Sequence, residues 1–499
     1  METLRLLGQG FLVAFEPFNL GMALAGSFLG TLIGALPGLG PINGVAILLP
    51  LAYALKLPPE SALILLASLY YGAEYGGRIS SILLNVPGDA GAVMTTLDGY
   101  PMARKGLAGP AMSISGFSSF VGGAIATVGI AFLAPLLAAW ALRFGPAEYF
   151  ALMVFAFACL SSLVGRNPVK TLLGALFGLA LSTVGIDANS GVYRFTFDDV
   201  HLYDGVPFLV VVIGLFSVSE MLILLEQTHL GETITTTAGR TMFNMRELAE
   251  SWWPTIRSSL LGFVIGVLPG AGASIASAIA YMTEKRLVDR EGTFGQGDIR
   301  GVAAPEAANN SAAGGAFIPM LTLGVPGSGT TAIMLGALTL YNITPGPLLF
   351  EQQPRIVWGL IAALFLANLM LLVLNLPLVN IFVRLLATPP WLLVPGIAAI
   401  SFVGVFSVHG TTFDLLFMVG LGVFAYLLRK MDFPLAPVIL GFVLGDLMEQ
   451  NLRRALSISG GELYILWESP ITIGLWICAG LILILPLLIG YTRRRLESE

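Results

Sequence analysis

The chain has 499 residues, of which 56% are hydrophobic and only 11% are charged, and its mean hydropathy is +0.85. This composition excludes an ordinary soluble globular protein and makes lipid the expected solvent. The formal charge of -5 is thinly spread, and no basic run with interleaved aromatic residues appears, which excludes a nucleic-acid-binding protein.

The first half, residues 1–230, is predicted to hold a hairpin, a broken helix and a set of apolar helices. Residues 1–10 lead to no small-residue cleavage site, so we expect the spans themselves, not a cleaved signal peptide, to drive insertion. Pro and Gly interrupt two apolar segments and free backbone carbonyls that lipid cannot satisfy. The predicted elements are the hairpin 26–52, the broken helix 61–100 and helices within 112–226.

The second half, residues 231–470, repeats this order. We predict a hairpin at 258–282, a broken helix at 303–350 and helices within 356–448, with residues 240–253 forming an interfacial helix before the hairpin. A final helix and a basic cytoplasmic tail occupy 471–499. The chain is therefore expected to be all-α, with about 11 spans and two re-entrant hairpins.

An internal repeat supports this division. Residues 29–40 (LGTLIGALPGLG) and 261–272 (LGFVIGVLPGAG) share eight identities in twelve positions. Val86-Pro87-Gly88 similarly matches Val325-Pro326-Gly327. One isolated break would be read equally well as a packing kink, but matched interrupted segments in two halves indicate the binding site of a transporter.

Basic residues predict the topology. Clusters such as Arg104-Lys105, Arg166 with Lys170, 285–300 and Arg429-Lys430 are expected in the cytoplasm, and the acidic loop 187–204 outside. The two repeats then have inverted topology, with the N-terminus outside and the C-terminus inside. Arg453-Arg454 falls outside in this arrangement, against the rule.

The breaks gather small polar residues where helices are expected to begin at mid-membrane depth. Exposed amides and hydroxyls there favour an anion, so carboxylates are natural ligands. For any single residue, close helix packing is the alternative. The predicted substrate-binding residues are Asn43, Asn85, Gly88, Asp89, Asn309, Asn310, Ser311, Pro326, Gly327, Ser328, Gly329, Thr330 and Thr331.

Freed carbonyls at the two hairpin tips are predicted to bind a coupling cation such as Na⁺. The positions are Gly38, Gly40, Gly270 and Gly272. No other cofactor is expected, because the loop 324–331 lacks the Lys of a phosphate loop. Transport would then be driven by an ion gradient or by another subunit.

An ionisable residue is costly inside an apolar segment, so each one needs a structural or functional explanation. Glu74 and Arg78 lie four residues apart on a predicted helix and are expected to pair, with direct carboxylate binding by Arg78 as the alternative. Other acidic residues are candidate proton or cation sites, or else helix caps and loop closures. They are Asp89, Asp98, Glu220 and Glu306.

Three stretches, 34–44 (GALPGLGPING), 71–101 and 304–331, resemble the large membrane subunit of the tripartite tricarboxylate transporter family. The resemblance covers nearly the whole chain. It implies cation-coupled (Na⁺ or H⁺) uptake of citrate or related di- and tricarboxylates through the bacterial inner membrane, and an elevator-like mechanism. The alternatives are an intramembrane hydrolase, which the absence of a Ser-His motif disfavours, and a channel.

The resemblance also implies two partners. These are a small membrane subunit of about four helices and a periplasmic solute-binding protein, and a dimer of heterodimers is an assembly compatible with them. It assigns no catalytic residue, so the chain is not expected to be an enzyme.

Overall fold

A computed structural model describes residues 2–163, 167–187, 190–226, 240, 242–270, 272–377 and 390–496. Within these residues nearly all regular structure is helical, which confirms the all-α prediction. The described strands are Gly185–Ile186 and Tyr193–Arg194, which pair antiparallel in the acidic loop with Gly185 opposite Arg194.

The first half contains the predicted hairpin, break and helices. Its helices are α1 (Glu2–Ala14), α2 (Pro17–Ala35), α3 (Gly40–Ala54), α4 (Pro59–Leu84), α5 (Val93–Arg104), α6 (Ala108–Ala141), α7 (Pro146–Leu163), α8 (Pro168–Ser182), α9 (Phe208–Val212) and α10 (Ser219–Glu226). A π-helical segment, Ile213–Val218, joins α9 to α10, and a 3₁₀ turn lies at Val200–Leu202. The predicted boundary near residue 230 lies outside the described residues.

The second half follows the same order. Its helices are α11 (Met245–Val267), α12 (Gly272–Val288), α13 (Ile299–Gly315), α14 (Phe317–Leu323), α15 (Gly329–Leu340), α16 (Leu349–Gln352), α17 (Pro354–Asn375), α18 (Pro390–His409), α19 (Thr412–Lys430), α20 (Ala436–Ile458) and α21 (Pro470–Leu496). A 3₁₀ turn lies at Leu463–Trp467.

Five helices in the described part of the chain are long and apolar enough to cross a membrane. They are Pro17–Ala35, Ala108–Ala141, Phe208–Glu226, Pro354–Asn375 and Thr412–Lys430. Six shorter apolar helices accompany them, and the largest core cluster lies where α3, α4, α6, α15 and α17 meet the helix pair α9–α10. The chain is therefore a polytopic helical membrane protein.

Several boundaries differ from the prediction. Helix α1 was missed, and it packs along α17. The hairpin arms are longer than predicted, since α2 begins at Pro17 and α12 runs to Val288. The interfacial helix predicted to lead from 240–253 into the hairpin is the first part of α11, which an Asn244 capping box starts and which continues without a break to Val267.

The two halves share their packing as well as their sequence. The first hairpin arm lies against the broken helix in each half, α2 on α4 and α11 on α13. Glycine makes this possible: a Cβ on Gly30 would lie 2.2 Å from the Leu69 carbonyl oxygen, and one on the equivalent Gly262 would lie 2.4 Å from that of Ala308. Small residues at these contacts let the helix backbones approach closely.

The broken helices end in the same way. Asn85 closes α4 at φ 57° and ψ 22°, and Gly324 closes α14 at φ 66° and ψ 22°. Both residues directly precede the repeated Val-Pro-Gly, and both adopt the left-handed conformation that Gly and Asn tolerate best. The repeat is therefore a repeat of backbone conformation.

Loops that the charge pattern assigns to the same side of the membrane contact each other in the structure. Lys105 donates to the Gln296 carbonyl at 2.6 Å, and Lys170 donates to the Met431 carbonyl at 2.6 Å. Arg453, which falls outside in the predicted topology, pairs with Asp187 of the acidic loop at 2.7 Å. Its charge is thus met by a carboxylate, which explains how it can lie beside that loop.

Candidate functional site

A central cavity of about 390 Å³ lies where the two hairpin tips meet the two helix breaks. Residues from both halves of the sequence line it. Those predicted to bind substrate or cation are Gly38, Gly40, Asn43, Asp89, Gly270, Gly272, Ser328, Gly329 and Thr330. The fold therefore brings both tips and both breaks to one place.

The hairpin tips have closely similar backbones. Gly38 and Gly40 adopt φ 82° and 60°, and Gly270 and Gly272 adopt 78° and 67°. These left-handed angles end one helix and start the next within a few residues, so several carbonyls at each tip have no helical partner. Such carbonyls are suitable ligands for Na⁺, and a cation at these positions remains a prediction.

Asn43 reinforces the first tip. Its amide donates to the carbonyls of Leu39 and, at 3.4 Å, Gly38. At the second tip, the Gly270 amide donates to the Gly327 carbonyl at 3.0 Å. The second tip is therefore tied directly to the second break.

The second break presents the N-terminus of α15 to the cavity. Ser328 is the N-cap: its hydroxyl accepts from the Thr331 amide at 3.2 Å, and the Thr331 hydroxyl accepts from the Ser328 amide at 2.8 Å. The amides of the first turn and the helix dipole favour negative charge at this end. This end of the cavity can accept a carboxylate.

The first break presents carboxyl groups instead. Asp89 is half-buried, accepts from the Ala92 amide at 2.8 Å and lines the cavity with the almost fully buried Glu74. The two carboxyl groups lie close enough for their charges to interact. Acidic groups and the α15 N-terminus therefore face the same cavity.

Other predicted residues lie outside the cavity lining. Asn85 is the exposed cap of α4, and Gly88 packs against the backbone of Gly34 and Gly77. Asn310 donates to the Glu306 carbonyl at 3.1 Å and Ser311 to the Ser259 carbonyl at 2.7 Å. Pro326, Gly327, Thr331 and Asn309 also lie outside the lining.

The predicted Glu74–Arg78 pair is wrong. The Arg78 guanidinium is fully buried and turns towards α6, where it donates to the Met112 carbonyl at 3.3 Å and the Ser115 hydroxyl at 3.1 Å. It lies outside the cavity lining, so the alternative of direct substrate binding gains no support. Spacing along one helix could not reveal these acceptors on another.

The sequence analysis also missed Arg429. It was read only as a topology signal, yet it lines the cavity and pairs with the nearly buried Glu220, which the Asn43 amide approaches at 3.4 Å. Glu220 follows the π-helical segment, a local distortion frequent at functional sites. In the sequence, a basic residue five positions before Pro434 gives no signal of this long-range contact.

The remaining acidic candidates have structural partners. Asp98 accepts from the amides of Gly295, Gly297 and Asp298 at 2.8–2.9 Å and from the Tyr281 hydroxyl, and therefore closes a loop. Glu306 accepts from the Thr95 and Ser119 hydroxyls. Among the described residues, no group of three His, Cys, Asp or Glu side chains is arranged to bind a metal ion.

A second cavity, of about 860 Å³, lies at the acidic loop. Arg194 and Arg453 form a network there with Asp187 and Glu449, with N–O distances from 2.6 to 3.5 Å. The C-terminal end of α15 reaches this cavity, while its N-terminus reaches the central one. Thr330 lines the central cavity and Leu335 lines this one, so at 1.5 Å per residue about 7.5 Å of helix rise separates the two linings along α15.

Residues 20–440 match the tripartite tricarboxylate transporter TctA family. A protein of Agrobacterium vitis described as "Uncharacterized 52.8 kDa protein in TAR-I ttuC' 3'region" is 40% identical over 475 residues, which are 95% of this chain and 94% of that protein. Another, "Uncharacterized protein in TAR-II ttuC' 3'region", is 41% identical over 228 residues, 45% of this chain and 94% of that protein. No solved structure matches the chain.

Proposed function

Since this chain belongs to the tripartite tricarboxylate transporter TctA family and is the large membrane subunit of such a transporter, we propose that it takes up tri- and dicarboxylates such as citrate, coupled to Na⁺ or H⁺. It acts as a secondary transporter and not as an enzyme. The observation that carries the proposal is the central cavity, with the α15 N-terminus and both hairpin tips in its wall.

The substrate lies between the two breaks. One carboxylate is held by the Ser328 hydroxyl and by amides of the first turn of α15. Arg429 pairs with Glu220, and the remaining N–H groups of its guanidinium can donate to a second carboxylate. Hydroxyls and amides thus provide most of the recognition, with a single guanidinium in addition. A cation at the tips offsets part of the anion's charge and lowers the cost of moving it through a low-dielectric barrier.

Movement is elevator-like. The close glycine contacts of α2 with α4 and of α11 with α13 join each hairpin to its broken helix, so each pair can move as one unit across the remaining helices. The two units have inverted topology in the bacterial inner membrane. This arrangement exposes the cavity alternately to the two sides.

Family membership implies the two partners, a small membrane subunit and a periplasmic binding protein. The binding protein makes the first selection among carboxylates, and the complex is a dimer of heterodimers. A swap of the binding protein should therefore shift the substrate range without any change in this chain.

The test is uptake of radiolabelled citrate by proteoliposomes that contain both membrane subunits. We expect saturable uptake that depends on the binding protein and on an imposed Na⁺ or pH gradient. Full uptake by this subunit alone would contradict the tripartite mechanism, and non-saturable flux independent of both gradients would indicate a channel.

A further inference from the structure

Glu74 and Asp89 form a carboxyl pair whose role the proposed function leaves open. Glu74 is 2% exposed in α4, and Asp89, in the break after α4, is half-buried at the cavity wall. Both carboxyl groups line the same cavity and lie close enough for their charges to interact. Two neighbouring carboxyl groups can join in a hydrogen bond only when one of them carries a proton.

The surroundings do not neutralise the pair. The titratable groups that face it are Tyr70 on the same helix and Glu306 from α13, and neither brings positive charge. Within the described residues, neither Glu74 nor Asp89 forms an ion pair with a basic side chain, and Arg429 across the cavity is engaged by Glu220. Two adjacent carboxylates without a counter-charge cannot both stay ionised in a poorly hydrated site.

An unpartnered amide is aimed at the pair. Asn309 of α13 is fully buried, and its side chain lies near enough to Glu74 to interact with its charge but makes no hydrogen bond of normal geometry. Glu74 Oε2 also has no partner. Gly91 leaves the room for this amide, since a Cβ there would lie 2.0 Å from Asn309 Oδ1. An amide can donate to a carboxylate or accept from a protonated carboxyl, so it suits both states of the pair.

The two carboxyl groups occur in only one of the two sequence repeats. When the repeats are aligned on Gly76-Gly77 with Gly314-Gly315, Glu74 corresponds to Ala312. When they are aligned on Val-Pro-Gly, Asp89 corresponds to Ser328. Backbone architecture therefore does not require either carboxyl group. Equivalent backbone positions thus hold an acidic pair in the first half and the start of an anion-binding helix in the second.

We propose that Glu74 and Asp89 bind the coupling proton, which enters from the cavity through Asp89 and is shared by the two carboxyl groups while the carboxylate substrate is bound. Protonation removes one negative charge from the wall of a cavity that must receive an anion, so proton and substrate favour each other's binding. The proton is carried and released, not consumed. This inference rests on the proposed function and selects H⁺ as its coupling ion.

The experiment compares two citrate assays in proteoliposomes that contain the full complex without Na⁺. Counterflow exchanges labelled for unlabelled citrate and needs no net coupling, whereas accumulation is driven by an imposed pH gradient. One proton per cycle lets a gradient of one pH unit support up to about tenfold accumulation. Glu74→Gln, which mimics the protonated form, should lose this roughly tenfold pH-driven component but keep counterflow. Asp89→Asn, at the substrate cavity, should lose the pH-driven component relative to whatever counterflow it retains, and Glu226→Gln, in an exposed pair with Lys430, is the matched control.

The outcomes separate this inference from the function itself. Accumulation by Glu74→Gln that follows the pH gradient as in wild type would overturn the proton site. So would wild-type accumulation that follows Na⁺ and ignores pH, or loss of counterflow in Glu74→Gln when it purifies as an intact complex. Absence of citrate counterflow in the wild type would instead remove the proposed function.

A direct measurement requires no transport. Citrate added to the purified wild-type complex in weakly buffered solution should draw protons from the medium, and the Glu74→Gln complex should draw fewer at the same pH. Because both complexes meet the same citrate species, protonation of citrate itself cancels in the difference. Equal proton uptake by the two would also overturn the proposal.

Discussion

The glycine contacts between hairpin and broken helix lead to a quantitative prediction for Gly30→Ala and Gly262→Ala. The added Cβ would lie 2.2 Å from the Leu69 carbonyl oxygen in the first case and 2.4 Å from that of Ala308 in the second. Ordinary carbon–oxygen contacts begin at about 3.3 Å, so each helix pair must separate by about 1 Å. Overpacking of this kind costs about 1–3 kcal/mol.

Gly21→Ala in the same helix α2 is the control, because nothing lies within 4 Å of a Cβ there. All three variants gain the better helix propensity of Ala, about 1 kcal/mol, so this gain cancels in the comparison. The free energy of unfolding of Gly30→Ala and Gly262→Ala should therefore lie about 1–3 kcal/mol below that of Gly21→Ala.

Thermal unfolding of the purified complex in detergent, followed by tryptophan fluorescence, ranks the three variants. Uptake should fall in the two clashing variants, because a hairpin loosened from its broken helix no longer moves with it. Equal unfolding midpoints for Gly30→Ala and Gly21→Ala would refute the close backbone packing, and with it the repeated unit.

Asp98→Asn should cost about 2–4 kcal/mol, since it weakens the charge-assisted bonds to the amides of the loop 295–298, and should increase proteolytic cleavage of that loop. Arg453→Met should cost only about 1 kcal/mol or less, with a smaller loss at high salt, because its two carboxylate partners form a partly exposed network. Burial raises the pKa of Asp298, but hydrogen bonds from Arg300 and a neighbouring threonine outweigh it and hold that pKa below its usual value. The stability it contributes is present above its unfolded pKa and lost as pH falls through the lower folded pKa, so Asp298→Asn, which keeps the helix cap, should flatten the acid side of the unfolding profile.

The sequence predicted well those features that depend on local backbone chemistry. Pro and Gly in apolar segments forecast both tips and both breaks, and the repeat forecast that they occur in matched pairs. Which side chains of α13 face the cavity could not be predicted, because a helix with small residues on every side gives no amphipathic signal. Asn309, Asn310 and Ser311 were therefore chosen together, and the structure directs Asn310 and Ser311 to backbone carbonyls.

Contacts between segments that are distant in the sequence could not be predicted either. The partner of Arg429 is Glu220, 209 residues earlier, and that of Arg78 lies on a different helix. Within one helix, spacing identifies which side chains can meet, but a buried ionisable group takes whichever acceptors the tertiary packing supplies. This is why the expected Glu74–Arg78 pair gave way to a carboxyl pair at the cavity wall.

The last prediction uses the correspondence between Asp89 and Ser328 to test where the anion binds. Ser328→Asp keeps the helix start intact, because Asp is as good an N-cap as Ser, whereas Ser328→Ala removes the cap at a cost of about 1 kcal/mol without a change in charge. The new carboxylate would stand about 5 Å from a bound carboxylate, where at an effective dielectric constant near 20 the repulsion is about 3 kcal/mol, more than a hundredfold in affinity. Citrate affinity, measured by calorimetry on the purified complex, should therefore fall far more in Ser328→Asp than in Ser328→Ala. Near-wild-type affinity in Ser328→Asp would mean that the anion binds away from the start of α15.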